Sequence, residues 1–141
     1  MKFYTLKSNS VRKYQKTLKR PYKYRIDWHK PSRSKFQSII KDFLQEFWVD
    51  DVVFEEFPVV GTRMTLDIYN DTRKIAVEVQ GRQHDEFVPY FHKNKLAFKD
   101  QLQRDAKKRE FCEINGIFLL EVRENDKLNE DFFKSKGIDL R

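Results

Sequence analysis

Two acidic residues lie in or beside apolar segments, where carboxylates are uncommon. Glu78 interrupts the apolar run 75–79, and Asp67 occupies a polar position in the preceding segment, with ten residues between them. An ionised carboxylate is costly to bury unless it is paired or binds a metal. Gln80 would share the face of Glu78 on a strand. Two carboxylates and an amide oxygen are hard ligands that suit Mg²⁺, so the pattern predicts a magnesium site able to support phosphodiester hydrolysis.

Each of the three residues also has a simpler interpretation. Asp67 could be a turn residue at a strand end. Glu78 could pair with a lysine or arginine across the sheet. Gln80 alone carries little information. The hypothesis of a site rests on finding the three on neighbouring strands, joined by a turn at residues 70–73.

The periodicity of apolar residues predicts the elements that would position this site. Ser32 or Ser34 can cap a helix that ends near Trp48, because apolar residues recur there at three- and four-residue spacing. A second helix is expected at about 95–114, with its apolar residues on or near one side and Asn115-Gly116 ending it. The predicted strands cover residues 52–60, 64–69, 75–79 and 117–122.

The order of these elements predicts an α/β fold with a small mixed sheet. Three consecutive strands favour a meander, and the helical crossover favours a fourth strand that joins in parallel. Residues 81–95 are expected to form a loop, and the tail from Lys127 carries a short helix at most.

Charge is concentrated at the N-terminus. Residues 1–30 contain ten basic residues and one acidic residue, with aromatic residues interleaved, whereas residues 31–141 contain 19 basic and 21 acidic residues. Basic residues neutralise phosphates and aromatic residues stack on bases, so we expect a flexible DNA-binding arm at 1–30 and a catalytic domain at 31–141. The alternative is a solvated basic tail. Candidate contacts in the arm are Arg12, Lys13, Lys16, Lys19, Arg20, Lys23 and Arg25.

Composition excludes several other classes of protein. The chain has 141 residues, 4 Gly, 4 Pro and 39% hydrophobic residues, which argues against collagen-like or disordered chains. No apolar run approaches the roughly 18 residues of a membrane span. Cys112 is the only cysteine and is predicted to be a packed core thiol. These features predict a soluble, intracellular (cytoplasmic) protein without a membrane partner.

The segment from Asp67 to Val122 resembles the PD-(D/E)XK nuclease superfamily, in which an Asp is followed by a spacer and then by Glu or Asp, any residue, and Lys. Here Leu66 stands where that pattern has Pro, and Gln80 stands where it has Lys. The string 77–84 (VEVQGRQH), with Arg104-Asp105 and the later run 115–120 (NGIFLL), is similar to the very-short-patch-repair-like branch. That branch includes phage and intron-associated homing endonucleases with a spaced Glu, Asp, x, His, Asp signature.

The resemblance covers about residues 32–123 and implies a role for each matching residue. Asp67 would be the central metal ligand, with Glu78 and Gln80 as further ligands or water-positioning groups. His84 would be the general base or a water-orienting group. Asp105 would be the final acid of the signature, with Asp100 as a competitor. Arg104 beside it would contact phosphate.

Other positions are less well defined. The first Glu of the signature falls at Gln37, with Glu46 as an acidic substitute. His84 beside Asp85 could also be a simple loop pair. Further candidate DNA contacts outside the arm are Arg82, Gln83, Lys107 and Lys108.

Together, these features predict a Mg²⁺-dependent endonuclease acting on double-stranded DNA, with Mn²⁺ able to replace Mg²⁺. The resemblance favours a free-standing, site-specific homing endonuclease of phage type. A mismatch nickase, a Holliday-junction resolvase and a non-catalytic DNA-binding module remain alternatives. Since one chain would carry one site, cutting both strands requires a homodimer or two successive nicks.

Overall fold

A four-stranded mixed sheet forms the centre of the molecule. The computed structural model describes residues 1–6, 14–81 and 95–141. None of the helices in that part of the chain has the length and apolar composition needed to cross a membrane. In chain order the elements are β1 (Lys2–Tyr4), β2 (Gln15–Thr17), a 3-10 helix (Pro21–Tyr24), α1 (Lys35–Trp48), β3 (Val53–Pro58), β4 (Thr65–Asn70), β5 (Ile75–Gln80), α2 (Lys95–Ile114), β6 (Phe118–Arg123) and α3 (Glu130–Ser135).

The sheet has the predicted connectivity. Its order is β3-β4-β5-β6, with antiparallel pairing from β3 to β5 and parallel pairing between β5 and β6. The long helix α2 makes the crossover that a parallel neighbour requires. The α/β class and the meander with one parallel strand are therefore confirmed, although the first predicted strand, 52–60, is shorter than expected.

Helix α1 begins and packs as its sequence predicts. The hydroxyl of Ser34 accepts a hydrogen bond from the backbone N–H of Gln37 (3.1 Å), which satisfies one of the free donors of the first turn. Ile40, Leu44 and Trp48 follow at helical spacing and are fully buried. The cap fixes the start of the helix, and the apolar stripe fixes the face that meets the sheet.

Helix α2 has the predicted bounds and ends before Gly116, whose φ of +66° is the left-handed conformation typical of a helix end. The expected apolar face is only partly buried. Phe111 is buried, but Leu96 and Leu102 are 66% and 43% exposed. The apolar residues of the first half of the helix are exposed because the core contacts are made near its C-terminal end.

Two apolar clusters pack against the sheet. One joins α1 and α3 to residues of β4, β5 and β6, such as Ile68, Val77 and Val122. The other includes Tyr69, Ala76, Phe111 and Cys112. Side chains alternate along β5, so Ala76 belongs to the second cluster and Val77 to the first. Glu78 therefore shares the face of Ala76, toward α2, and the Asp67 side chain lies beside it.

The described parts of the basic segment 1–30 pack on the domain, which corrects the expectation of a flexible arm. Strands β1 and β2 form an antiparallel pair, and the Phe3 ring lies 5.6 Å from Phe57 and 5.8 Å from Phe111. The Tyr4 N–H donates to the Asn115 side chain (2.8 Å). Burial of one large aromatic side chain stabilises such a contact by about 1.5–3 kcal/mol. A functional division at residue 30 stays a prediction.

Candidate active site

The predicted carboxylate pair forms because of the register between β4 and β5. Ile68 pairs with Val77, Asp67 and Glu78 are the residues just beyond this pair on the two strands, and their side chains are joined by a hydrogen bond. The Asp67 carboxylate accepts a hydrogen bond from the backbone N–H of Val79 (2.8 Å), which holds it at the end of β5. The prediction that a turn would bring the two carboxylates side by side is confirmed.

Glu78 is buried next to a second acid. Its side chain is 5% exposed, and Lys108 Nζ on α2 lies 3.3 Å from its Oε1 atom. Burial raises the pKa of the Glu78 carboxyl well above its usual value; a hydrogen bond with Asp67 and the negative charge of Asp67 raise it further, while Lys108 lowers it. The pair therefore favours a form that retains a proton unless additional positive charge is supplied.

Two buried oxygen atoms at this site have no hydrogen-bond partner among the described residues. They are Glu78 Oε1, whose contact with Lys108 has the distance of an ion pair but not the geometry of a hydrogen bond, and Gln80 Oε1. Gln80 is only 6% exposed. Leaving a buried acceptor unpaired costs about 1–3 kcal/mol, so such atoms are uncommon outside functional sites. Acceptors without donors fit a cation.

Asp67, Glu78 and Gln80 line a cavity of about 610 Å³ at the ends of β4 and β5. The first turn of α1 forms another part of its wall, and α2 contributes Asp105 and Lys108. Backbone N–H groups at a helix start attract anions, and basic side chains reinforce this effect. The described lining consists of Arg33, Ser34, Lys35, Phe36, Gln37, Asp67, Glu78, Val79, Gln80, Gly81, Asp105, Lys108 and Glu124.

The structure distinguishes between the two candidate acids on α2. Asp105 is 8% exposed and lines the cavity. Asp100 is exposed and does not. Asp105 and Lys108 lie three residues apart and so share one face of the helix. The geometry therefore favours Asp105 over Asp100.

Helix α1 brings Gln37 but not Glu46 to the site. Gln37 is 3% exposed, lines the cavity, and its amide N–H₂ donates to Glu55 (2.9 Å) and Glu56 (3.1 Å). Glu46 has a 70% exposed side chain that lies 3.6 Å from Arg141. Glu46 was named as an acidic substitute for Gln37; its place on the outer face of α1 excludes it from this cavity.

A partly buried acidic network behind Gln37 was not predicted from the sequence. Lys41, with a side chain only 2% exposed, lies 2.8 Å from Glu55. Glu56 has a φ of +51°, an uncommon conformation for a residue with a side chain, and it binds Arg33 (3.2 Å). The available signal was Lys41 within the apolar stripe of α1, opposite two consecutive acids in an apolar strand.

The candidate DNA contacts differ in exposure. Lys108 lines the cavity beside Glu78. The other described candidates are exposed side chains: Lys16, Lys19, Arg20, Lys23, Arg25, Arg104 and Lys107. His84 and the contacts Arg12, Lys13, Arg82 and Gln83 lie outside the described residues.

Cys112 is a packed thiol, as predicted. It is 1% exposed, and burial together with the negative charge of Glu78 raises the pKa of its thiol to about 12. A thiol with a raised pKa is not a nucleophile at neutral pH.

The ligand set for a cation is small. Within residues 1–6, 14–81 and 95–141, no group of three or more His, Cys, Asp or Glu side chains could hold a metal ion. The described donors are therefore the two carboxylates of Asp67 and Glu78 and the amide oxygen of Gln80. Mg²⁺ is commonly held by one or two carboxylates together with waters and substrate phosphates, so this set fits Mg²⁺.

Similar proteins come from viruses. The chain is 40% identical over 73 residues to uncharacterized protein 033L of Invertebrate iridescent virus 3 and 46% identical over 59 residues to uncharacterized protein 307L of Invertebrate iridescent virus 6. It is 36% identical over 100 residues to uncharacterized protein 094L of Frog virus 3. No family model and no solved structure matches the chain.

The matches cover only part of each protein. They include 52%, 42% and 65% of this chain and 38%, 30% and 63% of the respective relatives. The relatives belong to large DNA viruses, and their names indicate invertebrate and frog viruses.

Proposed function

We propose that this protein is a Mg²⁺-dependent endonuclease that hydrolyses phosphodiester bonds in double-stranded DNA. The observation that carries the proposal is the pair of opposed carboxylates, Asp67 and Glu78, with two buried oxygen atoms that lack hydrogen bonds. A hydrolytic site for a phosphodiester needs anionic ligands for a metal and cationic groups for the phosphate in one cavity. This cavity contains both.

Each residue has a definite part in the proposed reaction. Asp67, Glu78 and the amide oxygen of Gln80 would hold Mg²⁺, or Mn²⁺ in its place. The bound ion supplies positive charge and orients water. Asp105, which lines the cavity, would be the final acid of the signature. The role of His84 as general base or water-orienting group is taken from the family resemblance.

The surface around the site suits a polyanion. Arg33 and Lys35 lie at the start of α1 on the cavity wall, where the helix itself favours negative charge. Arg104 and Lys107 are exposed on α2, and further exposed basic residues follow from Lys16 to Arg25. Because DNA carries a dense row of phosphates, these groups would position the duplex with its backbone at the cavity.

The remaining parts of the proposal come from the resemblance. The core would be of the PD-(D/E)XK type, and the enzyme a free-standing, site-specific endonuclease of the homing class. It would act inside a host cell, as a homodimer or by two nicks, and leave a 5′-phosphate and a 3′-hydroxyl. A mismatch nickase or junction resolvase would use the same site. Competition among linear, mismatched and four-way-junction substrates distinguishes these enzymes.

Nicking of supercoiled plasmid and of viral DNA in Mg²⁺ tests the proposal. We expect EDTA to abolish cleavage and Asp67→Asn to reduce the rate by roughly 100-fold or more, because the bound metal supplies several kcal/mol of charge stabilisation. The matched control is Glu46→Gln, which removes an exposed carboxylate remote from the cavity. Cleavage that survives Asp67→Asn or EDTA would contradict the proposal.

A non-catalytic DNA-binding module is the second candidate. The ion-pair contact between Lys108 and Glu78 favours it, since that contact partly neutralises the buried acid without a metal. This candidate predicts salt-sensitive DNA binding that Asp67→Asn leaves unchanged, with no metal-dependent cleavage. Fluorescence anisotropy at several salt concentrations, run beside the plasmid assay, separates the two candidates.

A further inference from the structure

Glu56 has a backbone conformation that is unusual inside a strand. Its φ of +51° lies in the left-handed region, which is strained for a residue with a side chain. Among the described residues, the other two non-glycine positions with positive φ are Arg20 and Lys74, and both lie outside the helices and strands. Strain of this kind persists only where the surrounding contacts hold it in place.

The strained conformation interrupts the alternation of side chains along β3. In a regular strand Glu55 and Glu56 would point to opposite faces. Here both carboxylates accept hydrogen bonds from the Nε2 atom of Gln37, at 2.9 and 3.1 Å, so both point toward α1. Phe57 consequently lies on the other face, where the centroids of its ring and the Phe54 ring are 4.8 Å apart.

Burial of Phe57 does not by itself explain a glutamate at this position. Glycine adopts a positive φ without steric cost and would bend the strand equally well. What glutamate adds is a carboxylate, which binds Gln37 (3.1 Å), Thr65 (3.0 Å) and Arg33 (3.2 Å). Gln37 and Arg33 line the cavity of the candidate active site. The strained residue therefore holds two parts of the cavity wall.

We propose that Glu56 is a positioning residue that fixes the orientation of the Gln37 amide. A glutamine amide has two N–H donors and one carbonyl oxygen. Since Glu55 and Glu56 occupy the two donors, the carbonyl oxygen is the end of the amide that is left for the cavity. There it accepts a hydrogen bond from water bound to a cation at Asp67 and Glu78. This inference rests on the cation site of the proposed function.

The orientation matters because the two ends of the amide have opposite polarity. A carbonyl oxygen accepts a hydrogen bond from water bound to a cation, whereas an N–H₂ group turned toward the same water has no acceptor to offer it. Groups that hold the ligands and waters of a metal site commonly contribute about 10–100-fold to metal affinity. Loss of the Glu56 carboxylate should therefore weaken cation binding.

Calorimetric titration of the full chain with MnCl₂ tests the proposal on variants of one position. Glu56→Ala and Glu56→Gly both remove the carboxylate, and we expect both to bind Mn²⁺ about tenfold or more weakly. Glu56→Gln keeps an acceptor oxygen for Gln37, so its affinity should stay within about threefold of the wild type. The matched control is Glu46→Gln, which changes an exposed carboxylate remote from the cavity and should bind Mn²⁺ as the wild type does.

Thermal unfolding of the same variants separates the backbone strain from the effect on the amide. Glycine relieves the strain that alanine retains, so the Tm of Glu56→Gly should exceed that of Glu56→Ala by about 2–6 °C. In spite of this difference, the two variants should lose the same Mn²⁺ affinity. An affinity that follows Tm would show that Glu56 acts on folding alone, and it would overturn the proposal.

A double variant tests whether Glu56 acts through Gln37. Gln37→Met removes the amide, and adding Glu56→Gly to it should lower Mn²⁺ affinity by less than about twofold further. Fully additive losses, wild-type affinity in Glu56→Ala and Glu56→Gly, or a Glu56→Gln affinity as low as that of Glu56→Ala overturns the proposal. A wild type that binds Mn²⁺ and shows the expected pattern but cleaves no DNA overturns the proposed function alone. A wild type that binds no Mn²⁺ overturns both.

Discussion

Two pairs of acidic residues lie on the same sheet and differ in how fully they are hydrogen-bonded. Glu55 and Glu56 on β3 are surrounded by donors. Asp67 accepts a hydrogen bond from the Val79 backbone, and Glu78 retains an oxygen with none. The side chains that bind the first pair are Ser32, Arg33, Gln37, Lys41 and Thr65.

The difference indicates different tasks. A buried carboxylate that is saturated with donors holds elements together, and it has little capacity left for a ligand. Through Lys41 and Gln37, the first pair ties α1 to β3. A buried carboxylate that lacks donors raises the energy of the empty site, and a cation that binds there recovers that energy. We therefore expect the second pair, and not the first, to bind a cation.

Removing the ion pair between Lys41 and Glu55 should have the largest effect on stability. Lys41→Met leaves Glu55 partly buried without its cation, and we expect a loss of about 3–5 kcal/mol in the free energy of unfolding. Urea denaturation followed by circular dichroism measures it. Lys99→Met, an exposed control, should change stability by less than about 0.5 kcal/mol. A loss below about 1 kcal/mol for Lys41→Met would show that the contact is not structural.

Binding of a divalent cation by Asp67 and Glu78 should stabilise the protein. At a Mg²⁺ or Mn²⁺ concentration about 100 times the dissociation constant, binding adds about 2.7 kcal/mol to the free energy of unfolding. We expect a rise in Tm for the wild type and none for Asp67→Asn. Calorimetric titration of the same proteins provides the dissociation constant. An equal rise in Tm for both proteins would place the bound ion elsewhere.

The smallest effect concerns the pH dependence of the metal-free protein. Because the fold raises the pKa of Glu78, the folded state holds its proton more tightly than the unfolded state does. That contribution to stability is complete below the ordinary carboxyl pKa and is lost as pH rises through the raised pKa. In EDTA the wild type should lose this stability with rising pH, and Glu78→Gln should not. Parallel stability profiles for the two proteins would show that Glu78 is not the group with the raised pKa.

Much of the fold was predictable because its signals are local. The Ser34 cap, the apolar stripe of α1 and the turn at Gly116 each act within one or two turns of chain. The short turn between β4 and β5 also made Asp67 and Glu78 neighbours, since a tight antiparallel connection leaves few possible registers.

Other features depend on contacts between residues far apart in the chain. Phe3 packs between Phe57 and Phe111, so the start of a segment read as a flexible arm belongs to the core. The composition of residues 1–30 could not show this, because a basic segment with scattered aromatic residues suits both a solvated tail and a packed hairpin.

The sequence by itself determined the two long helices, the four strands of the mixed sheet and the proximity of Asp67 to Glu78, because periodicity and turn chemistry act over short distances. Only the tertiary structure decided which charges meet across elements. Packing of Phe111 and Cys112 under the sheet sets the rotation of α2, and that rotation directs Lys108 to Glu78. Packing of Ile40 and Leu44 in the same way brings Lys41 to Glu55. A lysine on a helix carries no local mark of its partner, because burial and pairing depend on the elements packed against it.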